Sequence, residues 1–165
     1  MFVLGVDPGV SRCGYGCVES ARGQTRAIAV GILTTPPSQP LPERLAALDT
    51  DIRELLADLR PDVVAVERLF FQTNVRTAMS VGQASGLVLA AAAGAGCVVV
   101  QYTPNQVKQA VAGYGAAGKD QVQRMVQSLL GLADVPKPAD AADALALALC
   151  HVAMAPLQSR LEAAK

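Results

Sequence analysis

Four carboxylates stand where ordinary surface charge does not explain them: Asp7, Glu67, Asp140 and Asp143. Asp7 closes the apolar run Phe2-Val3-Leu4-Gly5-Val6 and is followed at once by Pro8 and Gly9, and Glu67 closes a second run, Val63-Val64-Ala65-Val66. Short apolar runs bounded by turn residues or carboxylates read as buried strands. A carboxylate at the end of such a strand must find a proton, a cation or hydrogen-bond donors. Asp140 and Asp143 lie three apart in an otherwise apolar segment. That spacing puts both on one face, in the first turn of a helix, where the dipole favours negative charge. Four converging carboxylates repel one another, and a hard cation relieves the repulsion. Oxygen donors without histidine or cysteine suit magnesium or manganese rather than zinc. Two such ions, about 3.5–4 Å apart, stabilise the attacking and leaving oxygens of a phosphoryl displacement and lower the pKa of a bound water. The chemistry indicated is two-metal phosphodiester hydrolysis. Plainer readings stand beside it. Asp7 can be a turn aspartate bonded to its own loop, and Asp140 a helix N-cap with Asp143 as a dipole-favoured neighbour.

Other acids have simpler accounts. Glu43, Asp51, Glu54 and Asp58 fall on the polar face of an amphipathic helix, and Asp120 falls in the first turn of another.

Positioning the four requires particular elements. Residues 3–7, 14–19 and 24–33 read as three strands, and the short connection between the first two argues for an antiparallel meander. From Leu41 the apolar period becomes helical, through Leu45, Leu48, Ile52, Leu55, Leu56 and Leu59, and stops before Pro61. A helix followed by the strand ending at Glu67 is a crossover to a parallel neighbour. Asp7 and Glu67 would then emerge at one sheet edge, where open α/β sheets place their sites. Residues 74–93 read as a long helix with a small-residue stripe (Val75, Ala78, Met79, Gly82, Gly86, Leu89, Ala93), suited to close packing in a core or across a dimer. A strand over 97–101 follows. Thr103-Pro104 then reads as an N-cap with proline at the first helical position. Helices over 119–130 and 140–154 complete an α/β fold: a mixed sheet, meander plus parallel strands, flanked by helices.

Bulk properties set the bounds. The 165 residues are 52% apolar and 17% charged, which fits one globular domain, taken here as 1–155 with a flexible tail over 156–165. Fourteen basic and fourteen acidic residues cancel, so net charge points to no nucleic-acid partner. No uninterrupted apolar run reaches roughly 18 residues, and the N-terminus lacks a signal-peptide pattern. Cys13, Cys17, Cys97 and Cys150 match no zinc spacing, and the single histidine, His151, sits on an apolar helix as a structural residue. Reduced thiols point to a cytoplasmic protein. The glycine-rich stretch 113–118 lacks the lysine-serine ending of a phosphate loop, which argues against an actin-like ATPase.

Several segments together carry a family resemblance. They are Asp7-Pro8-Gly9 with Gly14-Tyr15-Gly16, Val66-Glu67 with Phe70, Gln106-Val107-Lys108-Gln109, Lys119, and Ala139-Asp140-Ala141-Ala142-Asp143-Ala144-Leu145-Ala146. Over residues 2–152 the chain resembles the RuvC family of Holliday-junction resolvases. The resemblance implies a ribonuclease H-like fold, a homodimer, and paired nicks across a four-way DNA junction in recombination and repair. Its cofactor would be Mg2+, two ions per site, with Mn2+ able to substitute. The RuvA–RuvB branch-migration complex would be the partner. The family's acidic positions match Asp7, Glu67, Asp140 and Asp143, and some members carry histidine at the position of Asp140. Lys108 and Lys119 match basic positions that hold the junction, and Phe70 matches a base-contacting phenylalanine. Arg76 and Arg68 could track the backbone. Arg124 reads as solubilising charge and Phe71 as core.

Overall fold

The computed structural model describes the backbone of residues 1–68 and 75–163, and side chains over 1–68 and 78–156. Phe70 and Phe71 lie outside the described residues, as does the side chain of Arg76. The order is β1 (Phe2–Asp7), β2 (Arg12–Ala21), β3 (Gln24–Thr34), α1 (Leu41–Leu59), β4 (Val63–Glu67), α2 (Val75–Gly94), β5 (Val98–Tyr102), α3 (Pro104–Ala112), α4 (Lys119–Leu130) and α5 (Ala139–Ala163). The strands form one sheet in the order β3-β2-β1-β4-β5. β1, β2 and β3 pair antiparallel, whereas β4 and β5 join in parallel. The meander and its parallel extension thus have the expected form.

The sheet divides two cores by strand parity. Val3 on β1, Val63 and Ala65 on β4, Val18 on β2 and Tyr102 on β5 face the side covered by α3, α4 and α5. Leu4 and Val6, Val64 and Val66, and Cys13 and Cys17 face α1 and α2 through Leu48, Ile52, Leu56, Ala84 and Val88. Because side chains alternate along a strand, Asp7 and Glu67 continue the row that looks toward α5. Cys13, Cys17 and Cys150 are buried and Cys97 only partly.

α5 is the central helix. Its window Ala139–Pro156 is long and apolar enough, by composition, to cross a membrane, but it packs on the sheet with 56% of the window buried. It also runs beyond the expected end near Met154, passing Pro156 to reach Ala163. His151 on this helix is buried, its Nδ1 2.7 Å from the Tyr102 hydroxyl, which ties α5 to the end of β5. Burial lowers its pKa, in keeping with a structural rather than an acid–base role.

Candidate active site

The glycines of β1 and β2 decide whether α5 reaches the sheet edge. A methyl group added at Gly5 would overlap the Ala144 carbonyl oxygen, and one added at Gly14 would overlap that of Asp140. At Gly16 it would meet Leu145 Cγ at 2.6 Å. The three share the α5-facing row, so the helix backbone rests directly on the strands, which only residues without Cβ permit. The contact fixes the opening of α5 beside Asp7. It is the physical content of Gly14-Tyr15-Gly16, a signal that sequence reading noticed only as a resemblance.

The two parallel strands supply the other acids. β1 and β4 run in register, Val6 beside Val66, so Asp7 and Glu67 leave the sheet at one level. The turn after Asp7 is braced from α1. Thr35 Oγ1 donates to the Val10 carbonyl at 2.6 Å, and Arg44 donates through Nε to Thr35 Oγ1 and through Nη2 to Ser11 Oγ. Burial and the neighbouring acids dominate the surroundings of the Asp7 carboxylate.

Asp7, Glu67 and Asp143 line one cavity of about 260 Å³, with Lys108, Lys119, Pro104, Val107, Val122, Ala146 and Leu147. Lys108 is carried by α3, whose start is fixed by a capping box: Thr103 Oγ1 accepts from Gln106 N–H at 3.2 Å, and Gln106 Oε1 accepts from Thr103 N–H at 2.9 Å. Lys119 opens α4, and its Nζ lies 2.6 Å from Asp143 Oδ2. Asp140 stands at the rim, 2.8 Å from Arg12 Nε. α5 begins at Ala139, so Asp140 is inside its first turn rather than its cap, and Asp143 lies further along the helix. This corrects the placement of both in the first turn. The cause is the start at Ala139, ahead of the first aspartate. Arg12 is the charged neighbour that sequence reading missed. It lies two residues before Gly14 on β2, so parity points it toward α5.

The electrostatics show how strongly the acids oppose one another. Asp7 is pushed up to about 7, first by burial and then by Asp143, Glu67 and Asp140, with Lys119 pulling the other way. Glu67 is raised by burial and by Asp143, against Lys119 and Lys108. Lys119 is itself raised, chiefly by its hydrogen bond to Asp143.

Among the described residues, no group of three or more acidic, histidine or cysteine side chains is drawn tightly enough to hold an ion. Two of the four carboxylates are instead turned to Arg12 and Lys119. The donor chemistry still fits a hard divalent cation, because the set is all oxygen and its charges are costly unless a cation joins them.

The family model for crossover junction endodeoxyribonuclease RuvC matches residues 3–151. The chain belongs to the RuvC family. A RuvC from Moorella thermoacetica is 53% identical over 160 residues, spanning 97% of this chain and 96% of that protein. One from Chloroflexus aurantiacus is 54% identical over 160 residues, spanning 97% and 98%. Among solved structures, Thermus thermophilus RuvC in complex with a Holliday junction substrate is 42% identical, covers 96% of each chain and has a TM-score of 0.90. The yeast mitochondrial Holliday junction resolvase Ydc2, 14% identical with a TM-score of 0.69, shares the fold. The sheet is thus the ribonuclease H-like sheet that the RuvC resemblance implied, and the chain is a metal-dependent endodeoxyribonuclease of that family.

Proposed function

We propose that this RuvC-family enzyme resolves Holliday junctions by hydrolysing phosphodiester bonds in paired symmetric nicks. The observation that carries the reading is the single cavity in which Asp7, Glu67 and Asp143 meet Lys108 and Lys119. Asp7, Glu67, Asp140 and Asp143 would hold two Mg2+ ions, with Mn2+ able to substitute. When bound, such ions neutralise charge developing on the phosphoryl oxygens and activate water. Asp7, whose charge burial and the other three acids oppose, must lose its proton for the site to carry full negative charge. Lys119 and Lys108 hold positive charge over the mouth. There they orient the phosphate and offset charge on its oxygens once Asp143 lets Lys119 go. Val107, Val122 and Leu147 keep one wall apolar and limit water at the reacting phosphate.

The substrate's two-fold symmetry calls for two such sites, hence a homodimer. The face of α2 carrying Gly82 and Gly86, where an added Cβ would meet nothing within 4 Å, supports that helix as the interface. Phe70 and Arg76, on the segment after Glu67, are assigned to the DNA. RuvA–RuvB is the assigned partner, and the free cysteines support a cytoplasmic location. The nuclease domain is taken as residues 1–155.

The test is a synthetic mobile four-way junction and a linear duplex, each with and without Mg2+, for the wild type and Asp7→Asn. Paired nicks are expected on the junction only, with Mg2+ only. They should be lost in Asp7→Asn while junction binding persists. Nicking by Asp7→Asn at the wild-type rate would remove Asp7 from the site, and equal cutting of the duplex would remove the junction selectivity.

A further inference from the structure

Arg12 is the basic residue beside the site to which neither the family pattern nor the cavity assigns a task. It is on the same sheet edge as Asp7, its side chain is 52% exposed, and its Nε rests on Asp140 Oδ2. Asp140 is one of the four acids assigned to the ions, yet it stands outside the cavity that the other three line. The pair repeats, at the rim, what Lys119 and Asp143 do inside: each aspartate of α5 is held by a basic residue from another element. A cation that takes Asp140 must displace a guanidinium, and the released guanidinium must find another anion at that edge. A planar guanidinium fork suits a phosphate, which it can grip through two parallel hydrogen bonds. The pair is partly exposed on both sides, so parting it costs little.

We infer that Arg12 is a charge-exchange residue. It neutralises Asp140 while no ion is held there, and it turns to a DNA phosphate flanking the scissile one when a divalent cation takes the carboxylate. The inference rests on the proposed function, since it needs a DNA phosphate at this edge. Its consequence is a positive coupling. DNA offers Arg12 a new partner and so eases ion binding at Asp140, and the ion in turn frees Arg12 for DNA.

Two measurements test it, with Arg12→Ala and Arg12→Lys. Mn2+ binding to the DNA-free protein, read by the spin resonance of free Mn2+, should be tighter in Arg12→Ala than in wild type by about two- to fivefold, the equivalent of an exposed ion pair. Junction binding should then be measured with all four carboxylates in place and Ca2+ instead of Mn2+, another hard cation for oxygen donors, the strands being checked on a gel to be whole. The slope of log affinity against log salt should shrink by about 0.9 in Arg12→Ala, the loss of one phosphate contact, and Arg12→Lys should restore it. A residue that only props Asp140 would leave that slope unchanged. Unchanged or weaker Mn2+ binding in Arg12→Ala overturns the exchange, and so does an unchanged salt slope. Failure of the underlying function looks different: there the wild type itself leaves the junction uncut.

Discussion

The Asp7 charge is opposed first by burial and then by the neighbouring acids, a cost that the metal-free protein must bear and that Asp7→Asn should release. Its pKa stands at about 7 against 3.8 for a free aspartate. At 1.36 kcal/mol per tenfold change, ionising it in the fold opposes folding by roughly 4 kcal/mol. An asparagine keeps the shape and removes the charge. It must bury an amide in the same place, which costs about 1–3 kcal/mol where hydrogen bonds are incomplete. The net gain at pH 8.5 without metal is therefore roughly 1–3 kcal/mol, worth about 2–4 °C in Tm per kcal/mol for a chain of this size. The pH dependence has a definite sign. Between pH 3.8 and about 7 the folded state holds a proton at Asp7 that the unfolded chain has released, so this group's contribution to stability falls as pH rises. The advantage of Asp7→Asn should accordingly fade at pH 5, where the wild-type residue is neutral. Urea unfolding in chelator at pH 5 and pH 8.5 measures both points, and adding Mg2+ at pH 8.5 should favour the wild type instead. If Asp7→Asn is no more stable than wild type at pH 8.5 in chelator, Asp7 is not buried beside the other acids as described.

Gly14→Ala forces a methyl group against the Asp140 carbonyl oxygen, so it should lower stability by about 1–3 kcal/mol. It should also cut kcat far more than junction affinity, because the opening of α5 moves. Equal losses in both, measured by single-turnover cleavage and by binding, would show that the glycine serves stability alone. Lys119→Met removes the cation that lowers both Asp7 and Glu67, so the acidic limb of the kcat/KM pH profile should move to higher pH. A lowered plateau with an unmoved limb would restrict Lys119 to the phosphate.

The sequence by itself determined the elements and the identity of the acids. Apolar runs stopped by Asp7 and Glu67 announce two strand ends, and the helical period from Leu41 announces the crossover that makes those strands parallel. From there, strand parity alone puts both acids on one face. Thr103 with Pro104 announces the start of α3, because capping is a local interaction, and the structure adds Gln106 as the other half of the cap. The sequence did not reveal whether α5 reaches that edge, because nothing local records a contact between residue 14 and residue 140. Gly5, Gly14 and Gly16 settle it, by letting helix backbone lie on strand backbone. Nor could it show that Arg12 and Lys119 hold the two aspartates, since each pair joins residues far apart in the chain. Arg44 likewise braces the loop behind Asp7 from α1, through Thr35 and Ser11, contacts that no local pattern records. Local periodicity and turn chemistry fix which residues sit at a strand end or a helix start. Which ends meet depends on contacts between residues distant in the chain, and those only the folded chain makes.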